Sequence, residues 1–185
     1  MRLIFQAAID AFSERGFERA TMDEIAAKAN VAKGTIYYHF KSKEDLFVFL
    51  VEEGTELLRE TVLSKVQSQT TATAKLTTVI HEQLQFFQDY KDFCIIILRE
   101  AFGEEKRQQD FRRMLVQYVT SIQHIIEEGV ETGEFHTDQA EPVAWSVFGA
   151  ISITALHHLF ANDHFNLVSL SPHLEKVLIT GLHTP

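Results

Sequence analysis

Apolar positions recur along this chain at three- and four-residue intervals, and no segment sustains a two-residue alternation, so the pattern predicts an all-helical protein. A first helix is expected over Leu3 to Arg15, with Ile4, Ala8, Ala11 and Phe12 on one stripe. Gly16 follows as a left-handed C′ residue, with Phe17 as the apolar contact behind it. Thr21-Met22-Asp23-Glu24 is a capping box, and the short helix it opens carries Met22, Ile25, Ala26 and Ala29 on one face. Asn30-Val31 breaks that helix, because Asn tolerates left-handed backbone. A third short helix is expected over Lys33 to Phe40, with Ile36 and Phe40 turned inward. Ser42-Lys43-Glu44-Asp45 then caps a longer fourth helix carrying Leu46, Phe49, Leu50, Leu57, Leu58 and Val62.

Beyond Ser64 the polar run from Gln67 to Thr73 reads as a linker or loop. Helical patterning resumes over Ala74 to Asp89, Phe93 to Phe102 and Gln109 to Thr132, where Gly133 ends it. A turn-rich connection covers Glu134 to Glu141, and Pro142 suits the start of the next helix. Val143 to Phe160 is apolar and rich in small residues, and a last helix follows Ser171-Pro172 and ends near Gly181.

Composition narrows the picture. The chain has 185 residues, 45% of them hydrophobic, enough for a sizeable core in one or two domains. No run reaches the ~18 consecutive apolar residues of a membrane span, and the first residues lack the apolar core of a signal peptide. A single cysteine, Cys94, excludes an internal disulfide framework, so a cytoplasmic compartment and no membrane partner are expected. The net charge of −9 by itself argues against nucleic acid. Its distribution argues otherwise. Through Asp45 seven Lys/Arg balance seven Asp/Glu, and Asn30 to Lys43 holds Lys33, Lys41, Lys43 and His39 with no acid.

Residues Thr21 to Phe40 thus give helix, tight turn, helix: the helix-turn-helix arrangement, whose second helix enters the major groove. Small Ala26 and Ala29 allow the two helices to cross closely. The outer face of the second helix offers Lys33, Gly34, Thr35, Tyr38 and His39. Lys33 suits guanine O6/N7, and Thr35 suits a thymine methyl or a phosphate. Gly34 admits a close approach of the DNA backbone. Tyr37, Tyr38 and His39 can donate to phosphates, although Tyr37 can also be structural and His39 simply solvated. Lys43 and Thr21 are expected at flanking phosphates.

The linked segments Phe12-Ser13-Glu14-Arg15-Gly16-Phe17, Ala20 to Ala26 and Val31 to Leu46 resemble the DNA-binding region of the TetR/AcrR regulators, over about Ile4 to Phe47. The resemblance implies a homodimer of about nine-helix subunits. It further implies a DNA-binding domain (1–47), a ligand-binding and dimerisation domain (48–185), a palindromic double-stranded operator, and a small-molecule effector that lowers DNA affinity. Two departures stand out. Ala32 occupies a position where the family often has Ser. The family's short basic arm is also missing, so either the start is truncated or phosphate contacts there are absent.

For the remainder, aromatics and polar groups within apolar helices give candidates. The effector-binding candidates are Phe86, Tyr90, Arg99, Phe102, Tyr118, Trp145 and Phe148. Gln117, Gln123, His124, Ser152, Thr154 and His157 are further polar groups, and residues of both kinds more often serve the core or an interface. The mix suggests an apolar or amphipathic effector. Small residues over Val143 to Leu159 suggest a dimer face, with Ala144, Val147, Ile151 and Ala155 joined by Leu174, Val177, Leu178 and Leu182 of the last helix. An ordinary buried central helix is the other reading. His157-His158 cannot chelate one ion, and His124 with Glu128 is a two-ligand pair at most, so no metal and no cofactor is expected. With no nucleophile motif or phosphate loop, an enzyme is not expected. A repressor is the primary reading; an activator or a ligand-independent DNA-binding protein of the same fold is the alternative.

Overall fold

The computed structural model describes residues 1–100, 105–161 and 164–183. Among these the chain forms nine α-helices and no strand: α1 (Arg2–Arg15), α2 (Met22–Lys28), α3 (Lys33–His39), α4 (Lys43–Val66), α5 (Ala72–Asp89), α6 (Lys91–Glu100), α7 (Glu105–Glu131), α8 (Ala140–Ala161) and α9 (Ser171–His183). A 3-10 turn over Leu167–Leu170, not anticipated from the pattern, precedes α9. Phe102 lies outside the described residues.

Two compact units result: Met1–Thr55 with Asp92–Met114, and Glu56–Lys91 with Leu115–Pro185. In the first, α1 packs on α2 and α2 on α3 around Ile4, Ala8, Phe12, Ile25, Ala26 and Ile36. Phe17 bridges Phe12 and Phe47, with ring centroids 5.3 Å away on either side. Burying side chains of this size contributes about 1.5–3 kcal/mol each. The capping box forms as expected: Thr21 Oγ1 accepts from Glu24 N (3.3 Å), and Glu24 Oε2 accepts from Thr21 N (3.1 Å). Asn30 adopts φ 53°, and the N–H groups of Asn30 and Val31 close on Ala27 O and Ala26 O, both at 3.1 Å. That double closure is a Schellman motif, which satisfies carbonyls the ended helix leaves orphaned. Gly16 has the positive φ expected of it (76°), but its ψ of 159° takes it out of the left-handed helical region into one that is essentially glycine's alone. α6 also joins this unit: the Phe93 ring lies 6.0 Å from Phe5 of α1 and fills the space beside Gly54 of α4.

In the second unit α5 is central, packing on α8, on α9 and on the 3-10 turn. Leu76, Val79, Ile80, Leu84 and Phe87 give its buried stripe. It begins at Ala72 rather than Ala74 because its first N–H groups have partners. Thr71 Oγ1 accepts from Ala74 N (3.1 Å), and the Glu134 carboxylate accepts from Ala72 N and Thr73 N (3.0 Å each). Lys75 pairs with Glu128 at 2.6 Å, which commits one half of the His124–Glu128 pair to a salt bridge. α8 is long and apolar enough to cross a bilayer, with a mean hydropathy of 1.4 over its best window. Its inward side is core: Ala144, Val147, Phe148, Ile151, Ser152, Ala155, Leu156 and Leu159 are all buried.

Candidate nucleic-acid interface

α3 is a seven-residue helix that buries one side chain, Ile36. Lys33, Gly34, Thr35, Tyr37, Tyr38 and His39 are all exposed, and Tyr38, at 84%, is the most exposed large hydrophobic residue among those described. His39 stands edge-on to Tyr38, with ring centroids 5.2 Å apart. Phe40 caps the helix and is buried, 5.1 Å from Phe49, which anchors α3 from its C-terminal end. Ala32, at the N-cap, offers no side-chain acceptor. A Cβ added to Gly34 would meet nothing within 4 Å, so internal packing does not require glycine there.

Asp23 of α2 stands beside this face. Its Oδ2 accepts from Lys33 Nζ at 2.6 Å, and its Oδ1 accepts from Tyr37 Oη at 3.3 Å. The hydrogen bond and then the charge of Asp23 push the Lys33 pKa up, so the ammonium stays protonated. Tyr37 therefore has a structural partner as well as an exposed ring. The sequence pattern gives no sign of this role for Asp23, since the pairing crosses from α2 to α3; ten residues separate it from Lys33.

Lys43 has partners within the protein. Its ammonium donates to the carbonyls of Glu18 (2.9 Å) and Ala20 (3.2 Å) and lies 4.6 Å from the Phe17 ring centroid. It clamps the α1–α2 loop from the start of α4. Thr21 keeps an exposed side chain while serving as the α2 N-cap.

The effector candidates separate into groups. Tyr118, fully buried, lies 6.0 Å from Phe148, which is 6.3 Å from half-buried Trp145, all by ring centroids. Phe86, buried, and Tyr90, exposed, form another pair at 4.6 Å. Arg99 is exposed on α6. A buried residue missed by the sequence reading, Gln83, joins Tyr118: Tyr118 Oη donates to Gln83 Oε1 (2.9 Å), and Gln83 Nε2 donates to Ser152 Oγ (3.1 Å). One glutamine within the apolar stripe of α5 was the signal available for it. Burial pushes the Tyr118 hydroxyl pKa up, so it stays a neutral donor. Of the further polar candidates, Ser152 is buried, Gln117, His124 and His157 are exposed, and Gln123 and Thr154 are half-buried. An open groove of about 560 Å³, lined by Gln123, Glu127, Glu131 and Thr137 to Pro142 among others, contains none of the aromatic candidates.

The dimer candidates separate by burial. Ala144, Val147, Ile151, Ala155, Leu174 and Leu182 are buried inside the protomer at 0–6%, Leu178 is half-buried and Val177 is 60% exposed, so most of that face is covered within the protomer. The other large apolar side chains left open on these helices are Ile153 (58%) and Phe160 (63%).

The model of bacterial regulatory proteins of the tetR family matches residues 4–49, and the tetracyclin repressor-like C-terminal domain model matches residues 69–156. A fatty acid metabolism regulator protein of Bacillus subtilis strain 168 is 28% identical over 184 residues, 97% of this chain and 94% of that one. A structure from Clostridium perfringens, assigned as a fatty acid metabolism regulator, is 30% identical with TM-score 0.87, over 99% of this chain and 100% of that one. The Bacillus subtilis transcriptional regulator FadR, in complex with stearoyl-CoA, is 27% identical with TM-score 0.91, over 98% and 99%.

Proposed function

The chain belongs to the TetR family of bacterial regulators and is a DNA-binding transcriptional regulator, and from that premise we propose a dimeric repressor that releases a palindromic operator when it binds a long-chain acyl thioester. The observation that carries the DNA part is the exposure of α3, which turns all but Ile36 to solvent. In this reading the α3 helices of two subunits enter successive major grooves about 34–36 Å apart. Lys33 and Thr35 meet base edges, Gly34 admits the sugar-phosphate backbone, and Tyr37, Tyr38, His39 and Thr21 donate to phosphates. Residues 1–47 are the reading head, and the remainder dimerises and senses the effector. A regulator of this kind works in the cytoplasm, where its operator is.

The effector class is supported by the likeness to FadR in complex with stearoyl-CoA and by the largely apolar interior of the second unit, whose buried Gln83–Tyr118–Ser152 trio offers polar groups. α6 is suited to transmit the signal, because its Phe93 is seated against Gly54 of α4 and near Phe5 of α1. Two differently favoured arrangements of that contact would give the effector something to select. The dimer face in this reading is the one carrying Ile153, Phe160 and Val177.

The test is fluorescence anisotropy on a palindrome selected from a random library. The protein is expected to bind it tighter than random DNA by a factor of 10³ or more, roughly, as specific regulators do. Stearoyl-CoA is expected to release the complex at concentrations where stearate and coenzyme A separately do not. Absence of operator preference would sink the DNA reading; binding that stearoyl-CoA leaves untouched would sink the effector assignment alone.

A further inference from the structure

We propose that Asp23 is an internal rival of the DNA phosphates: by holding Lys33 and Tyr37 on one carboxylate, it weakens binding to random DNA and so widens the margin by which the operator is preferred. The proposal rests on α3 being the reading helix. Lys33 Nζ and Tyr37 Oη, four residues apart on one face of α3, reach the two different oxygens of Asp23, at 2.6 and 3.3 Å. A phosphate presents the same chemistry, an anion with several acceptor oxygens. The α2 cap does not need Asp23, since Thr21 and Glu24 form the box. Its side chain is 53% exposed and that of Lys33 65%, and ion pairs so exposed contribute little to stability. What the pair does change is the charge offered to DNA.

The same economy runs through the head. Arg15 pairs with Glu24 at 2.9 Å and Lys28 with Glu14 at 2.7 Å. Sequence-independent affinity comes from cations that displace counterions from phosphates, and a lysine held by its own carboxylate adds nothing until that pair opens. On the operator, base contacts compensate for opening it. On random DNA nothing does, so the carboxylate acts against the wrong partner more than the right one.

The test is anisotropy against salt concentration on operator and random duplexes, using the full-length protein. Asp23→Asn is expected to tighten random-DNA binding several-fold, to steepen its log–log salt slope by about 0.9, and to reduce the operator-to-random ratio. In a Lys33→Gln background the same substitution should do none of these, and Asp23→Glu should keep the wild-type ratio. An unchanged random-DNA slope in Asp23→Asn overturns the proposal. So does an undiminished gain in the Lys33→Gln background, which would mean general repulsion rather than capture of Lys33. A wild-type protein with no operator preference would instead overturn the DNA reading, and this proposal with it.

Discussion

Gly34 occupies a helix yet touches nothing: a Cβ there would have no neighbour within 4 Å. A helical glycine costs roughly 0.5–1 kcal/mol relative to alanine, so the fold alone would favour alanine at this position. Gly34→Ala is expected to raise stability by up to that amount in urea denaturation and to weaken operator binding about tenfold, because the methyl group would occupy space the DNA backbone needs. Unchanged operator affinity would remove Gly34 from the interface. Ala32 gives the converse case: the α3 N-cap lacks an acceptor, and Ala32→Ser should stabilise the protein by about 1 kcal/mol, read in the same denaturation experiment. Tyr38→Ala, at a side chain 84% exposed, should leave stability unchanged and weaken operator binding.

Among the elements, the α7–α8 connection is where structure depends most on distant partners. The Glu134 carboxylate caps α5, and hydrogen bonds from Thr73 N and Ala72 N hold its pKa below the ordinary carboxylate range. A carboxyl held lower in the folded state than in the unfolded chain, where it titrates at about 4.3, contributes stability above that pH. The contribution is lost as pH falls through the folded value. The stability gap between wild type and Glu134→Gln should therefore be largest near neutrality and close in acid, as measured by denaturation at pH 7 and at about pH 3. Gly129 of α7 faces the buried Phe135, and a Cβ there would run into the ring. Gly129→Ala should cost about 1–3 kcal/mol by overpacking, and Phe135→Leu in the same chain should recover part of it.

At the scale of the whole molecule, the proposed dimer depends on which side of α8 faces outward. Ile153→Glu combined with Phe160→Glu is expected to leave the protomer folded, to yield a monomer in sedimentation equilibrium, and to abolish tight operator binding, since one head then reaches one half-site. Val147→Ala should do the opposite. It alters a side chain 1% exposed, so it should lower stability by roughly 1–3 kcal/mol and leave the dimer intact. A Val147→Ala monomer, or a double glutamate variant that remains dimeric, would return the interface to the side first expected.

Local pattern decided the elements of the head. The Thr21 box, the Asn30 turn and the single inward Ile36 of α3 all follow from neighbours within five residues, so their physics is written in the adjacent sequence. It also decided the family, because those local features recur in order. What lay beyond it involves partners distant along the chain. Lys43 is held by carbonyls up to 25 residues away, Glu134 caps a helix 62 residues back, and Asp23 takes two donors from the next helix. α8 shows the limit most directly. It carries apolar and small residues on every side, so periodicity names no inward face. Packing of α5 and α9 against it determined that Val147 is core and Ile153 is surface.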